Sequence, residues 1–218
     1  MTLPRIAIVD YGSSNLQSVK NALGRIGVDV RVAATGADLA AADGIVLPGV
    51  GSFAMAMSNL NQSGIRDALE AEVIVRKKPF LGICLGMQML ARHSDEGGYT
   101  EGLGWIDAQV IHLQHTRTMN IPHTGWTYID LQGASSLFDG IPDNRRCFYF
   151  VHSYSVRCAD DAVLARCQDD QNIVAALGQD NIFATQFHPE KSAAAGRQLL
   201  MNFRDVVTQG AGELACAD

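Results

Sequence analysis

The segment Gly82-Ile83-Cys84-Leu85-Gly86 places a cysteine between two glycines, each two residues away. A nucleophile at the tip of a strand-to-helix turn has strained backbone, and it needs small residues on both sides because neighbouring chain passes close by. Backbone N–H groups at the start of the following helix favour a thiolate and stabilise an oxyanion. The segment therefore predicts that Cys84 is a nucleophile, although a lone cysteine more often fills space in an apolar strand.

A cysteine nucleophile needs a base, usually a histidine that a third group holds in place. Of the six histidines, His188 in the segment QFHPE (residues 186–190) suits this role, because it follows a strand end. Pro189 favours extended backbone at His188, so Glu190 is expected on the same side and able to bond one ring nitrogen. Alternatively, these residues only form a turn into the last helix. His152 and His123 are weaker candidates for the base. The alternative for His152 is a hydrogen-bonded histidine in the sheet, and the alternative for His123 is a loop residue.

Elements able to position these residues alternate along the first half of the chain. Short apolar runs predict buried strands at residues 5–9, 28–32, 44–47 and 80–83. Helical spacing of apolar residues predicts helices over residues 16–26, 65–73 and 85–91. This order predicts an α/β fold: a central, mostly parallel sheet with helices on both faces and a hydrolase-like nucleophile elbow at Cys84.

The second half of the chain has a different pattern. Residues 103–186 lack convincing helices and carry short β-rich pieces at 109–113, 125–130, 147–151, 163–167, 173–177 and 182–187. These pieces predict the far half of the same sheet with an antiparallel flap. Helical spacing returns over residues 193–207. We therefore expect a single domain over residues 1–208 and a frayed tail over residues 209–218.

Composition excludes several classes of protein. The 218 residues include 17 basic and 23 acidic side chains, giving a net charge of −6, and the scattered basic residues argue against a nucleic-acid partner. No long apolar run indicates a membrane span or a signal peptide. No Cys-x-x-Cys spacing joins the five cysteines, which favours free thiols in a reducing cytoplasm over disulfides or zinc. No metal or organic cofactor is expected. The cysteines are Cys84, Cys147, Cys158, Cys167 and Cys216.

The segments GICLGMQ (residues 82–88) and QFHPE resemble those of class I, or triad, glutamine amidotransferases. Enzymes of this family hydrolyse the side-chain amide of L-glutamine and pass the ammonia to a synthase. Within the family, residues 48–53, 122–126, 149–154 and 187–192 resemble the glutaminase subunits of imidazole glycerol phosphate synthase, in histidine biosynthesis. The resemblance covers nearly the whole chain. It implies a heterodimer with a cyclase subunit that makes imidazole glycerol phosphate and AICAR.

The resemblance also implies a role for each matched residue. Cys84 is the nucleophile, His188 the base and Glu190 its partner. The N–H of Leu85 and the loop Val50–Gly51, which must rearrange, form the oxyanion hole. Glutamine is held by Gln88, Glu96, Ser153 and Tyr154, of which Glu96 suits the α-ammonium group. Asn15 and Trp126 face the synthase. The alternatives are a helix cap for Asn15, solvated positions for Gln88 and Glu96, and a core position for Trp126.

Three positions differ from the pattern of these subunits. Thr127 stands where asparagine is usual, Thr124 where a larger apolar residue is usual, and Asn120 near where a basic residue is usual. Thr124 and Thr127 lie in the segment associated with the synthase face. Three alternatives therefore stay open: a paralogous glutaminase subunit that feeds another synthase, for example in surface-sugar amination, a stand-alone cysteine hydrolase, and a non-catalytic interaction subunit.

Overall fold

A computed structural model describes residues 3–12, 15–116, 119–169 and 171–215. The strands in these ranges are β1 (Arg5–Val9), β2 (Asp29–Ala33), β3 (Gly44–Gly49), β4 (Phe80–Cys84), β5 (His93–Ser94), β6 (Thr100–Glu101), β7 (Ala108–His112), β8 (His123–Leu131), β9 (Cys147–His152), β10 (Tyr154–Cys158), β11 (Val163–Cys167), β12 (Val174–Gln179) and β13 (Ile182–Thr185). The α-helices are α1 (Leu16–Gly24), α2 (Gly36–Ala40), α3 (Phe53–Gln62), α4 (Arg66–Glu70), α5 (Leu85–Gln88) and α6 (Ala193–Ala215). The predicted α/β class is confirmed.

The main sheet has nine strands in the order β2-β1-β3-β4-β13-β12-β11-β8-β9. The four pairings from β2 to β13 are parallel, and the four from β13 to β9 are antiparallel. The sheet is therefore mixed, where a mostly parallel one was predicted. Helical connections in the first half return the chain for parallel pairing, whereas the shorter connections of the second half favour antiparallel neighbours. The late strand β13 lies beside β4, with Ile182 opposite Phe80.

A second, four-stranded sheet has the order β10-β7-β5-β6. It takes the place of the predicted antiparallel flap and is itself mixed, because β5 and β7 are parallel. Strand β10 pairs with β7 in antiparallel register, with Tyr154 opposite His112. The sequence did not predict β10 or the two-residue strands β5 and β6. This sheet matters for the site because Tyr154 begins β10 one residue after the end of β9.

Apolar residues cover both faces of the main sheet. In β1, Ala7 and Val9 join one buried cluster, whereas Ile6 and Ile8 join the other, as the two-residue period of a strand requires. Helices α2, α3 and α4 pack on the first face, and α1 and α6 pack on the second. Both faces of β4 are therefore covered, and only its carboxyl end is left for chemistry.

Several helix boundaries differ from prediction. The spacing predicted one helix over residues 65–73, but α4 ends at Glu70 and a π-helical turn follows at Ala71–Val75. The elbow helix α5 is shorter than predicted, and α2 and α3 were not predicted. Helix α6 runs to Ala215, past the predicted start of the tail, and Cys216 lies outside the described residues. Within the described ranges, no helix is long and apolar enough to span a membrane.

Candidate active site

Cys84 lies at a sharp turn from β4 into α5. Its backbone has φ 55° and ψ −108°, a conformation that is strained for a residue with a side chain. The flanking glycines make room for this turn: a Cβ at Gly82 would lie 2.9 Å from the carbonyl oxygen of Gly86, and one at Gly86 would overlap the carbonyl oxygen of Leu47. The elbow therefore has the geometry that exposes a nucleophile above a sheet.

His188 and Glu190 reach the Cys84 elbow because they follow β13, which runs parallel to β4 and ends at the same edge of the sheet. The Nδ1 atom of His188 lies 2.8 Å from Oε1 of Glu190, and both side chains are buried. The Asn15 side chain donates a hydrogen bond of 2.7 Å to the same carboxylate oxygen. The predicted base and its partner thus form a buried pair, and Asn15 extends this pair to a third side chain.

The backbone of His188 is also fixed. Its N–H donates to the carbonyl oxygen of Tyr149 at 3.0 Å, and its carbonyl oxygen accepts a hydrogen bond of 2.6 Å from Oγ of Ser192. The Ser192 hydroxyl in turn accepts from the N–H of Tyr149 at 2.9 Å. Strand β9 and the turn Pro189–Lys191 therefore hold the imidazole in one orientation, which a base for Cys84 requires.

The electrostatics favour a charged imidazole. Burial alone would lower the pKa of His188, but its interactions with the Cys84 thiol and the Glu190 carboxylate outweigh burial and raise that pKa to about 9. Burial would likewise raise the pKa of Glu190, but the hydrogen bond and charge of His188, together with Asn15, lower it. Atom Nε2 of His188 is buried and has no regular hydrogen bond to a described residue. That nitrogen is available for proton transfer.

A cavity of about 280 Å³ opens at the elbow. It brings together nine of the predicted site residues: Val50, Gly51, Cys84, Leu85, Gln88, Glu96, Ser153, Tyr154 and His188. Glu190 and Asn15 lie behind His188 and do not line the cavity. Glu96 is only half-exposed, and one carboxylate oxygen accepts the N–H of Phe53 at 2.7 Å. The cavity therefore combines a thiol, an imidazole and a carboxylate in a space that suits a small polar ligand.

Gln88 lies in the wall of this cavity and is buried, contrary to the solvated alternative. Its two amide hydrogens go to the carbonyl oxygen of Tyr154, at 2.9 Å, and to Oε1 of Gln186, at 3.0 Å. The amide of Gln186 lies 3.7 Å from Sγ of Cys84. Sequence reasoning did not single out Gln186; the available signal was a polar side chain at the end of an apolar strand, two residues before the base.

The family model for class-I glutamine amidotransferases matches residues 7–206 of this chain. The chain belongs to this family. The expectation from the residues around Cys84 and His188 is confirmed at the level of the family and of its enzymatic nature.

The relatives of this amidotransferase cover nearly its whole length. It is 48% identical to imidazole glycerol phosphate synthase subunit HisH 1 of Campylobacter jejuni, over 91% of this chain and 98% of that protein. It is 45% identical to subunit HisH of Methanothermobacter thermautotrophicus, over 93% of this chain and 98% of the relative. It is 40% identical to subunit HisH 2 of Pseudomonas aeruginosa, over 93% and 100% of the two chains.

Solved structures share the fold of this amidotransferase at low sequence identity. The structure of PurLQS from Thermotoga maritima has a TM-score of 0.73 at 18% identity, over 94% of this chain and 99% of that one. A glutamine amidotransferase from the same organism has a TM-score of 0.62 at 16% identity, over 96% and 86% of the two chains. These likenesses support the α/β architecture.

The two residues predicted at the synthase face lie in different environments in this amidotransferase. Trp126 is 54% exposed on β8, so it is not a core residue. Its ring contacts that of Tyr149 edge to face, with centroids 6.0 Å apart. Asn15 precedes α1 but makes no side-chain cap, because its amide is turned to Glu190. Trp126 is therefore available to a partner, whereas Asn15 supports the His188–Glu190 pair.

The weaker candidates for the base, His152 and His123, are both buried in strands, and His123 is not a loop residue. Burial lowers the pKa of His152 to about 3 and also lowers the pKa of His123. Their rings are hydrogen-bonded to each other over 3.0 Å. These two histidines are therefore neutral near pH 7 and have structural partners, which leaves His188 as the base candidate. Among the described residues, no group of three or more His, Cys, Asp or Glu could hold a metal ion.

Proposed function

We propose that this chain is the glutaminase subunit of imidazole glycerol phosphate synthase, with Cys84, His188 and Glu190 as its triad. It hydrolyses L-glutamine to glutamate and ammonia, and the ammonia passes to a cyclase subunit in histidine biosynthesis. The observation that carries the glutaminase chemistry is the buried His188–Glu190 pair, of which His188 lines the same cavity as the strained Cys84 elbow. The relatives named imidazole glycerol phosphate synthase subunit HisH support the pathway.

The first half of the reaction forms a thioester. The Cys84 thiolate attacks the side-chain carbonyl carbon of glutamine, and the carbonyl oxygen becomes an oxyanion. The C–N bond then breaks, and the imidazolium of His188 gives its proton to the leaving nitrogen, which departs as ammonia. The raised pKa of His188 keeps that proton available near neutral pH.

The second half of the reaction uses the same histidine as a base. Neutral His188 takes a proton from water, and the resulting hydroxide attacks the thioester carbon. The C–S bond breaks, glutamate leaves, and the thiolate and imidazolium are restored. Glu190 stabilises the imidazolium and holds its Nδ1–H, as the acid of a triad does.

Charge and hydrogen bonding suit the cavity to glutamine. Glu96 offers a carboxylate to the α-ammonium group, and its capping contact with Phe53 holds that carboxylate in place. Both amide hydrogens of Gln88 are already used, so its oxygen is the atom that accepts from a ligand. Ser153 and Tyr154 also line the cavity and complete the substrate site.

The oxyanion hole is proposed to combine the N–H of Leu85 with a donor from the loop Val50–Gly51. Gly51 has φ 100°, in the region that glycine enters without steric cost, so the peptide before it can turn. One preorganised oxyanion donor is worth about 3 kcal/mol, or roughly a hundredfold in rate. We expect the loaded cyclase to increase glutaminase activity by about this factor by turning the loop.

The experiment measures glutamate released from L-glutamine by this chain alone, with the cyclase subunit, and with the cyclase bound to its substrate. We expect substrate-dependent activation that Cys84→Ala abolishes and Cys147→Ala preserves, because Cys147 is another free cysteine outside the cavity. Glutamate release without any cyclase dependence would overturn the partner assignment. Hydrolysis of other amides but not of glutamine would instead favour a stand-alone hydrolase.

A paralogous glutaminase subunit for another synthase is the second candidate. Thr124 and Thr127 on β8 favour it, because they replace the residues usual at the synthase face of the histidine-pathway subunits. The chemistry at Cys84 is the same for both candidates. Co-purification of the bound synthase distinguishes them.

The free thiols at described cysteines agree with a proposed location in a reducing cytoplasm.

A further inference from the structure

Thr127 begins a line of hydrogen bonds that leads inward from β8. Its hydroxyl lies 2.8 Å from Nε2 of His123, and Nδ1 of His123 lies 3.0 Å from Nε2 of His152. The Nδ1 atom of His152 lies 2.8 Å from the carbonyl oxygen of Tyr154. These contacts lie in the range of ordinary hydrogen bonds, so the four residues are linked without a gap.

The same carbonyl oxygen continues the line to the nucleophile. It accepts from Gln88, whose second amide hydrogen goes to Gln186. The amide of Gln186 in turn reaches Sγ of Cys84 at 3.7 Å. A continuous path of side chains and one carbonyl group therefore connects a residue on β8 with the sulfur atom.

The direction of this path is fixed at its carbonyl group. A carbonyl oxygen can only accept a hydrogen bond, so Nδ1 of His152 carries the hydrogen in the contact with Tyr154. In a neutral ring, Nε2 of His152 then has no hydrogen and accepts from Nδ1 of His123. Nε2 of His123 then accepts from the Thr127 hydroxyl. A carbonyl cannot pass a proton on, so the path transmits orientation and not charge. Neutral rings are required. Burial lowers the pKa of both rings and outweighs the charge of Asp169, which raises the pKa of His123, and the charge of His188 lowers the pKa of His152 further.

The path also joins two cavities. His152 and Tyr154 line the cavity at Cys84. His123 and Thr127 line a second cavity of about 350 Å³ beside the exposed Trp126. The His123 ring stacks on Phe150, with centroids 5.0 Å apart, which holds it between the two spaces.

We propose that Thr127, His123 and His152 are positioning residues for the nucleophile. They fix the Tyr154 carbonyl, and through Gln88 and Gln186 they hold the amide that contacts Cys84, so that β8 and the reacting sulfur are mechanically coupled. This proposal rests on the proposed glutaminase function. It assigns a role to Thr127, the residue that replaces the usual asparagine.

The test compares Thr127→Val, which keeps the shape but removes the hydroxyl, with Thr127→Ser, which keeps the hydroxyl. With saturating, substrate-bound cyclase, we expect Thr127→Val to lower kcat for glutamine about fivefold, because one neutral hydrogen bond corresponds to roughly that factor. KM for glutamine is expected to stay unchanged, and Thr127→Ser is expected to restore kcat. The proposal would be overturned if Thr127→Val kept the kcat of the wild type, or if kcat fell equally in Thr127→Val and Thr127→Ser.

A second measurement does not depend on activity. Imidazole ¹⁵N NMR of the full chain at pH 7 is expected to show His123 and His152 as neutral rings with the hydrogen on Nδ1, which is the less common tautomer. A charged ring, or a hydrogen on Nε2 of His152, contradicts the proposed direction. If the wild-type complex releases no glutamate, the proposed function fails, whereas the NMR result still decides whether the path exists.

Discussion

In the proposed mechanism, His188 holds a proton, releases it and recovers it while its side chain is fully buried. Burial favours the neutral ring, and the opposing interactions with Cys84 and Glu190 must outweigh it in every cycle. Because Glu190 is itself held by Asn15, the proton affinity of the base depends on a residue that precedes the first helix. The pH dependence of the reaction reports on this arrangement.

We predict that kcat/KM for glutamine falls as pH rises through about 9, because His188 then loses the proton it gives to ammonia. Glu190→Gln removes a carboxylate that raises the pKa of His188, so the alkaline decline is expected to begin at lower pH. A pH profile of glutamate release measures both effects. Glu70→Gln, the same change at an exposed site, serves as the control; an unshifted profile for Glu190→Gln would contradict the assignment.

The raised pKa of His188 also makes the free energy of unfolding depend on pH. The folded-state pKa of about 9 lies above the ordinary histidine value of 6.5, so protonation of His188 contributes stability that is fully present below pH 6.5. That contribution is lost as pH rises to about 9. Chemical denaturation across this pH range is expected to show a decline in the free energy of unfolding that is smaller in Glu190→Gln than in the wild type.

Asn15 is predicted to act on kcat. Asn15→Ala removes a hydrogen bond to a carboxylate, worth about 1.5 kcal/mol or more, so kcat is expected to fall roughly tenfold with saturating cyclase. Asn15→Asp, which places a second carboxylate beside Glu190, is expected to lower kcat further. If Asn15 acted only at the synthase face, Asn15→Ala would instead weaken cyclase binding and leave kcat intact at saturation.

The elbow depends on two elements that approach each other closely, β3 and α5. Gly86 stands where a Cβ would overlap the Leu47 carbonyl group, and this group belongs to a strand that cannot move away. The strain at Cys84 is therefore maintained by packing on both sides of the turn.

We predict that Gly86→Ala lowers the free energy of unfolding by about 2 kcal/mol or more, because the added methyl group forces backbone apart. Gly24→Ala is the matched control: it lies at the end of α1 with open space around it, and it is expected to be neutral or stabilising by roughly 0.5 kcal/mol. Urea denaturation compares the two variants. Equal midpoints for both would show that the elbow is not closely packed.

The sequence predicts elements whose signal is local. The elbow, the strands around residues 80–83 and 163–167, and the last helix follow from apolar runs and glycine spacing. Strand β10 was missed because Tyr154 follows β9 after a single residue, and no turn signal separates the two strands. Asn15 and Glu190 are 175 residues apart in the sequence, and no pattern in either segment predicts their hydrogen bond.

The whole molecule presents an apolar face on β8 and β9, formed by Trp126, Tyr128 and Val151, which are all partly exposed. Trp126 pairs with Tyr149 and Thr124 with Val151 across the two strands, so this face is continuous. Strand β9 is also the edge of the nine-stranded sheet. Exposed aromatic residues in such a face are typical of a binding surface.

We predict that Trp126→Ala weakens binding of the cyclase subunit about 30-fold, as truncation of a central aromatic anchor does. Val75→Ala removes apolar surface from a more exposed residue that precedes β4, a strand separated from β8 by three others in the sheet, and it is expected to leave the affinity unchanged. Isothermal titration calorimetry measures both. Unchanged affinity in Trp126→Ala would place the interface elsewhere.

The position of β13 between β4 and β12 has a consequence for the nascent chain during translation. The proposed nucleophile, Cys84, is translated early, but the adjacent strand β13 and the proposed base, His188, are translated about a hundred residues later. A nascent chain therefore has an open, apolar edge at the centre of its future sheet and an inert thiol. With the proposed triad, we expect glutamine hydrolysis to begin only when folding closes that edge, so that unfinished chains release no ammonia.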